Sequence, residues 1–236
     1  MAKIFFIDEV DSTNEYLKKA DFSDFTVVVA RRQTAGKGSK GRSFSSNYGG
    51  LYMTIGLYPD KTLVRFLTPL AAVAVKRAVK AVLDKDCQIK WVNDLVYKNN
   101  GIKKVCGILT ESITVGDRIK TLVGIGLNVF DDNKNFDGVK IAGFLQKGKI
   151  DYSVIEELAS VITSEFFDLC KNVATGMAEY ASSSCLVGEE VAYYKNSGEK
   201  IKCLVKGISP EGGLITEREG KTEVVFDGEI KWTKLS

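Results

Sequence analysis

The sequence predicts an α+β fold with a mixed, mainly antiparallel sheet, and two observations predict it. Through the middle of the chain, strand-like runs follow one another across short turns, a pattern of antiparallel meanders and not of regular strand–helix alternation. After about residue 185 the runs become short and evenly spaced between Gly- and Asn-containing turns, which predicts a small barrel of about 50 residues. The 236 residues suffice for one substantial domain with such an appendage, and the change of character divides the chain into 1–184 and 185–236.

Residues 4–7 are apolar and strand-like. Ser12 with Glu15 three residues later forms a capping-box pattern that predicts a helix to about Ala20. Phe25–Ala30 is a β-branched strand that enters a basic, glycine-rich loop, and Gly50–Tyr58 alternates as a second strand after it. Thr68-Pro69 suits an N-cap and first helical position, and apolar residues 70, 74, 75, 78, 79 and 82 define a core-facing helix. Lys76, Arg77 and Lys80 fall on its other face, expected to be solvated. Strands near 87–92, 104–111 and 119–129 are separated by Lys98-Asn99-Asn100-Gly101 and Gly116-Asp117. Residues 130–149 are polar and interrupted by glycine. Ser153 with Glu156 predicts a helix to Lys171, and a shorter helix is expected near 177–183. Barrel strands are expected near 187–194, 199–208, 213–217 and 222–226.

Composition narrows the chemistry. With 33 basic and 30 acidic residues the net charge is +3, too small to indicate a nucleic-acid binder, so no DNA partner is expected. Five scattered cysteines without a C-x-x-C pair predict reduced thiols, not a disulfide framework or a zinc site. Histidine is absent, which excludes Ser-His-Asp triads and imidazole bases. The apolar start is too short for a signal peptide and no long apolar stretch follows, so a cytoplasmic location without membrane contact is expected.

Residues 90–95, Lys-Trp-Val-Asn-Asp-Leu, interrupt an apolar strand with a cation, an aromatic, an amide and a carboxylate. Read alone they fit a strand end and an Asn-Asp turn as well as a ligand-facing surface. The basic segment 31–42, Arg-Arg-Gln-Thr-Ala-Gly-Lys-Gly-Ser-Lys-Gly-Arg, favours the ligand, because two cation-bearing segments in one domain suggest a shared anion. Gly36-x-Gly38-x-x-Gly41 matches the dinucleotide fingerprint in letters, but a turn-like stretch and a strand follow it where a helix is required. Glycines here let backbone N–H groups approach a phosphate. Gly124-Ile-Gly-Leu-Asn128 adds a strand whose glycines mark either a packing bulge or close approach of a ligand.

Asp11-Ser-Thr-Asn14, Gln33-Thr-Ala-Gly-Lys-Gly38 with Gly41-Arg42, Lys90–Leu95, Gly107-Ile-Leu-Thr-Glu111 and Gly124–Asn128 occur in the order and approximate spacing of biotin protein ligases, and the chain resembles that family throughout. The resemblance implies a class II synthetase-like catalytic domain followed by an SH3-like barrel. It implies ATP-dependent, Mg²⁺-assisted formation of biotinyl-5′-AMP and transfer of biotin to a lysine of a biotin carboxyl carrier protein. No DNA-binding region precedes residue 1, so the single-function form of the family is expected, with a homodimer left open.

By matching positions, the resemblance places biotin against Ser12, Thr13, Asn14, Gln33, Gly36, Lys37, Gly38, Ser39, Lys90, Gly107 and Gly124. It places the nucleotide against Lys37, Arg42, Trp91, Asn93 and Asn128, assigns catalytic roles to Lys90, Asp94 and Arg42, and gives no protein ligand for the metal with certainty. Asp94 is the candidate to receive or orient the acceptor lysine's proton. The segment after Asn128, residues 130–145, is expected to order over the adenylate. Ser39 stands where the family customarily has arginine, and Val92 replaces a customary proline and is expected to relax the backbone. The rival readings are a lipoate or octanoate ligase or transferase of the same architecture, and a non-catalytic nucleic-acid-binding module.

Overall fold

A single row of residues crosses the main sheet and sets the site: Tyr52, Gly126, Gly107, Asp94 and Lys90 are cross-strand partners on β3 (Gly50–Leu57), β7 (Arg118–Asn128), β6 (Ile102–Val115), β5 (Asp94–Lys98) and β4 (Cys87–Lys90). Direct partners share a face of a sheet. Two consecutive glycines in that row therefore leave a bare lane between an aromatic and a charged pair.

The computed structural model describes residues 3–22, 24–98, 101–131 and 143–233. Its seven-stranded sheet has the order β1-β2-β3-β7-β6-β5-β4. β1 (Lys3–Val10) and β2 (Thr26–Gln33) are parallel, joined by α1 (Thr13–Lys19), and every other neighbouring pair is antiparallel. This is the mixed, mainly antiparallel α+β architecture expected. A second sheet, β11-β10-β9-β8-β12, uses Lys221–Val225, Leu214–Arg218, Lys200–Ile208, Glu190–Tyr194 and Glu229–Trp232 and is consistent with an SH3-like unit.

One face of the main sheet is covered by α3 (Leu67–Leu83), with α4 (Tyr152–Lys171) and α5 (Val173–Ser182) packed against it; a short helix α2 (Lys61–Val64) precedes α3. The all-buried strand β3 lies next to the central strand β7. Leu70, Val73, Leu158, Ile162 and Phe166 form the heart of the core, each fully buried. α1 covers the other face through Leu17, which meets Val28 and Leu122.

Several local expectations change. Ser12 is the N-cap of α1 but makes no side-chain cap bond. Its own N–H donates to Asp11 (2.7 Å), and Glu15 turns to Lys37 instead. At α4 the cap is Asp151, whose carboxylate accepts from both the N–H and the hydroxyl of Ser153 (2.9 and 2.7 Å), so the shorter serine side chain lies inside the helix. α3 starts at Leu67, and Thr68 is drawn to Thr110 of β6 (2.7 Å). Pro69 is tolerated there because the first N–H groups of a helix lack intrahelical partners.

The basic face of α3 is not merely solvated. Arg77 pairs with Glu165 of α4 (2.8 Å) and Glu179 of α5 (2.7 Å), tying three helices together. The expected strand 87–92 ends at Lys90, a turn takes residues 91–93, and β5 was absent from the sequence reading, as was the fifth barrel strand, Glu229–Trp232.

Candidate active site

A cavity of about 480 Å³ opens beside the bare lane. Of the residues expected from sequence, Ser12, Thr13, Asn14, Gln33, Lys37, Gly38, Ser39, Arg42, Lys90, Trp91, Asn93, Asp94, Gly107, Gly124 and Asn128 all line it. Gly36 does not. A Cβ on Gly36 would strike Phe44 O and Ser46 Oγ, so this glycine serves the close packing of the loop.

One end of the cavity is polar and buried. Thr13, Asn14 and Thr54 are almost wholly sequestered. Gln33 Oε1 accepts from the Thr13 N–H (2.9 Å) and lies 3.1 Å from its hydroxyl, while Gln33 Nε2 donates to Ser46 Oγ (2.8 Å). Thr54 is 2.8 Å from Thr13 Oγ1 and 2.6 Å from Asn14 Oδ1. Gly124 is required here because a Cβ would collide with Asn14.

The other end is charged. Lys90 lies beside Asp94, and its ammonium stands 4.8 Å from the centre of the Trp232 ring in the second sheet. Burial lowers the Lys90 pKa from its ordinary value of 10.5, with Lys104 pushing the same way and Asp94 opposing. Asp94 forms a 2.6 Å ion pair with Lys104. Asn93 is clamped to β6: its amide donates to Ile108 O (2.7 Å), and its carbonyl accepts from Ile108 N–H (2.9 Å). The Trp91–Val92 peptide is cis.

The glycine-rich loop is a small hairpin closed by a Lys37–Ser43 bridge, with Lys40 and Gly41 at positive φ (58° and 72°). Lys37 lines the cavity, but its ammonium is held by Glu15 at 2.6 Å, a contact that raises the lysine pKa and lowers that of the glutamate. Arg42 folds back on Ser39, donating to its carbonyl (3.2 Å) and hydroxyl (3.1 Å), and stands 3.6 Å from Glu229 of β12. Trp91 faces two ways: it lines the cavity, and its indole N–H donates to Gly212 O in the turn between β9 and β10 (3.0 Å). Asn128 donates to Gly143 O (3.2 Å), and Gln146 N–H donates to Val129 O (2.8 Å), so the segment leaving β7 returns beside it. The expected lid, residues 130–145, lies largely outside the described residues.

Sequence reading missed Lys104, Phe44 and Glu229, all of which line the cavity. The Phe44 ring rests on the bare lane, where a Cβ on Gly126 would come within 2.6 Å of it. Lys104 is three residues from Gly107, a spacing that puts side chains on opposite faces of a regular strand. A bulge between Leu95 and Val96 restores Lys104 to the Asp94 face. The one signal was the adjacent apolar pair Val105-Cys106, both fully buried where alternation would bury one.

Among the described residues no cluster of three or more His, Cys, Asp or Glu could hold a metal, and no helix is long and apolar enough to cross a membrane. All five cysteines are free thiols, with Cys87, Cys106 and Cys203 buried; burial raises Cys87 and Cys170 to about 12 and Cys185 to about 11.

The model of the biotin/lipoate A/B protein ligase family matches residues 6–128, more than half of the chain. The bifunctional ligase/repressor BirA of Bacillus spizizenii is 39% identical over 237 residues, covering 95% of this chain and 71% of that protein. The biotin–[acetyl-CoA-carboxylase] ligase of Mycobacterium tuberculosis is 25% identical, covering 88% and 79%. The solved structure of the Aquifex aeolicus biotin protein ligase in complex with biotin and ATP superposes with a TM-score of 0.80 at 28% identity, over 97% of each chain. A shared fold, a matching family model and a relative aligned over nearly the whole chain lead to one conclusion: this chain belongs to the biotin/lipoate A/B protein ligase family.

Proposed function

We propose that the chain activates biotin with ATP to biotinyl-5′-AMP and transfers the biotinyl group to one lysine of a biotin carboxyl carrier protein. The observation that carries this reading is one cavity with a buried hydrogen-bonding end, Thr13, Asn14 and Gln33, and a cationic end, Lys90 and Lys104. A polar ring fits the first and a carboxylate meeting a phosphate fits the second. The biotin and ATP of the Aquifex aeolicus complex support the same pairing. Residues 1–184 would form the biotin- and ATP-binding domain and 185–236 the barrel that closes over it, in a cytoplasmic enzyme.

In the first step a biotin carboxylate oxygen attacks the α-phosphorus of ATP, the bond to the bridging oxygen breaks, and pyrophosphate leaves with its electron pair. The carboxylate needs no base, so the lack of histidine costs nothing here. Lys90, desolvated and held against Trp232, offsets charge between carboxylate and phosphate. In the second step the acceptor lysine attacks the acyl carbon, AMP leaves, and the amine's proton departs toward Asp94. The hard side-chain oxygens of Asn93 and Asn128 would suit a Mg²⁺ ion that arrives with the phosphates, and the ion would neutralise phosphate charge.

A lipoyl or octanoyl tail carries no N–H donor to meet the Thr13 hydroxyl oxygen that faces the cavity, which disfavours that rival. A nucleic-acid module is disfavoured because Lys37, Arg42, Arg31 and Arg32 are paired with Glu15, Glu229, Asp8 and Glu9 and do not form an open cationic stripe. Biotin-dependent exchange of labelled pyrophosphate into ATP tests the proposal. Exchange with lipoate and not biotin would reassign the substrate, and no exchange with either acid would remove the enzymatic reading.

A further inference from the structure

Glu111 closes the motif Gly107-Ile-Leu-Thr-Glu111, yet the chemistry above gives it no task. It stands outside the cavity lining, behind Asn14. One of its carboxylate oxygens accepts from Asn14 Nδ2 (2.8 Å); the other lies 3.6 Å from the Lys18 ammonium. We infer that Glu111 is a positioning residue: it fixes the direction of every hydrogen bond along the buried chain Asn14–Thr54–Thr13, and so makes Thr13 an acceptor toward the ligand. This rests on the biotin reading of the same cavity, and adds what sets the polarity of its floor.

A carboxylate only accepts, so Asn14 must turn its NH₂ to Glu111 (2.8 Å), with the Leu109 carbonyl a longer second acceptor at 3.5 Å, and its carbonyl oxygen to Thr54. The Thr54 hydroxyl has one hydrogen, and Asn14 Oδ1 at 2.6 Å takes it. Toward Thr13 the Thr54 oxygen then offers only lone pairs. At the far end the Thr13 N–H identifies the facing Gln33 atom as oxygen, another acceptor. The Thr13 hydroxyl hydrogen therefore goes inward, to Thr54 (2.8 Å) or Gln33 (3.1 Å), and either choice leaves an oxygen lone pair for the cavity. Such a floor accepts from a ligand N–H, as in a cyclic urea, and offers little to a ring without donors. Reversing the Asn14 amide would let Thr54 point its hydrogen at Thr13 and loosen that selection. All three side chains are almost fully buried, where water does not rescue a mismatched bond.

The test is a swap of polarity. Asn14→Asp sets two carboxylates against each other and should weaken biotin binding about 100-fold, the scale of an unsatisfied buried group. Adding Glu111→Gln to it restores a donor facing an acceptor in the reverse order while still leaving an acceptor toward Thr54. The double variant should bind within about threefold of Glu111→Gln alone, a coupling that independent sites would not show. KM for ATP should stay constant throughout, separating a positioned floor from general damage. A swap that fails to rescue Asn14→Asp, or a Glu111→Ala protein that binds biotin as the wild type does, overturns the inference. Slow exchange of the Asn14 side-chain amide protons, lost in Glu111→Ala, tests the contact without biotin. Wild-type protein that keeps those protons protected but binds no biotin would overturn the substrate reading and leave the Glu111 contact standing.

Discussion

Lys104 and Asp94 form a 2.6 Å ion pair across β6 and β5, directly beside Lys90 and the Gly107 backbone. Lys90 and Lys104 both lie against the Asp94 carboxylate while Glu229 is met by Arg42, so this end of the cavity carries a surplus positive charge suited to a phosphate. Lys104→Met should cancel that surplus and raise KM for ATP by about tenfold, on the order of one charge-assisted contact. Pyrophosphate exchange reads this directly, and an unchanged KM would take Lys104 out of the nucleotide site. Asp94→Asn should instead spare biotinyl-AMP formation more than transfer to the carrier, measured as intermediate accumulating in a single turnover.

Lys90 gives a pH signature. Its folded-state pKa is lowered, chiefly by burial, so between that value and 10.5 the unfolded chain binds more protons than the folded one, and stability rises with pH in this window. Charge stabilisation needs the protonated form. The rate of adenylate formation should therefore fall on the alkaline side with an apparent pKa below 10.5. An anionic ligand opposes the desolvation and should draw a proton onto Lys90 when it binds. Calorimetry at alkaline pH, within the falling limb of that rate profile, in buffers of different ionisation enthalpy measures the uptake, and Lys90→Met should abolish it and slow adenylation by roughly 10²–10³.

Ser39 lines the cavity and serves as the rest for the Arg42 guanidinium. It adds no charge of its own toward the phosphate side. Ser39→Arg should slow release of preformed biotinyl-AMP about tenfold, equivalent to about 1.4 kcal/mol. The off-rate measured by trapping released adenylate decides this. Equal rates in the two proteins would mean that position 39 does not touch the intermediate.

Lys120, although on a central strand, is buried, and its ammonium donates to the carbonyls of Ala20 (2.6 Å) and Lys18 (3.1 Å) at the end of α1, over the Phe22 ring. It is a side-chain cap for the helix that presents Thr13 and Asn14. Lys120→Met should cost about 2 kcal/mol in urea unfolding, since two carbonyls lose a charged donor. KM for biotin should rise with it while KM for ATP holds, because α1 carries one half of the site only.

The sequence by itself determined the α+β class, the helices about residues 67–83 and 152–171, and fifteen residues of the cavity lining. These were legible because apolar periodicity is local and because polar residues interrupting apolar strands stand out within a few positions. Tertiary structure decided the rest. Whether Ser12 or Asp11 takes a helix-start N–H, whether Arg77 is solvated or held by Glu165 and Glu179, and which way Glu15 turns depend on partners far away in the chain. Lys104 became a site residue only through a bulge, since one extra residue in a strand exchanges its faces. Glu229 and Trp232 reach Arg42 and Lys90 from the second sheet, across more than a hundred residues of chain. No spacing rule carries that information, because side-chain contacts between separate sheets are set by packing and not by sequence distance.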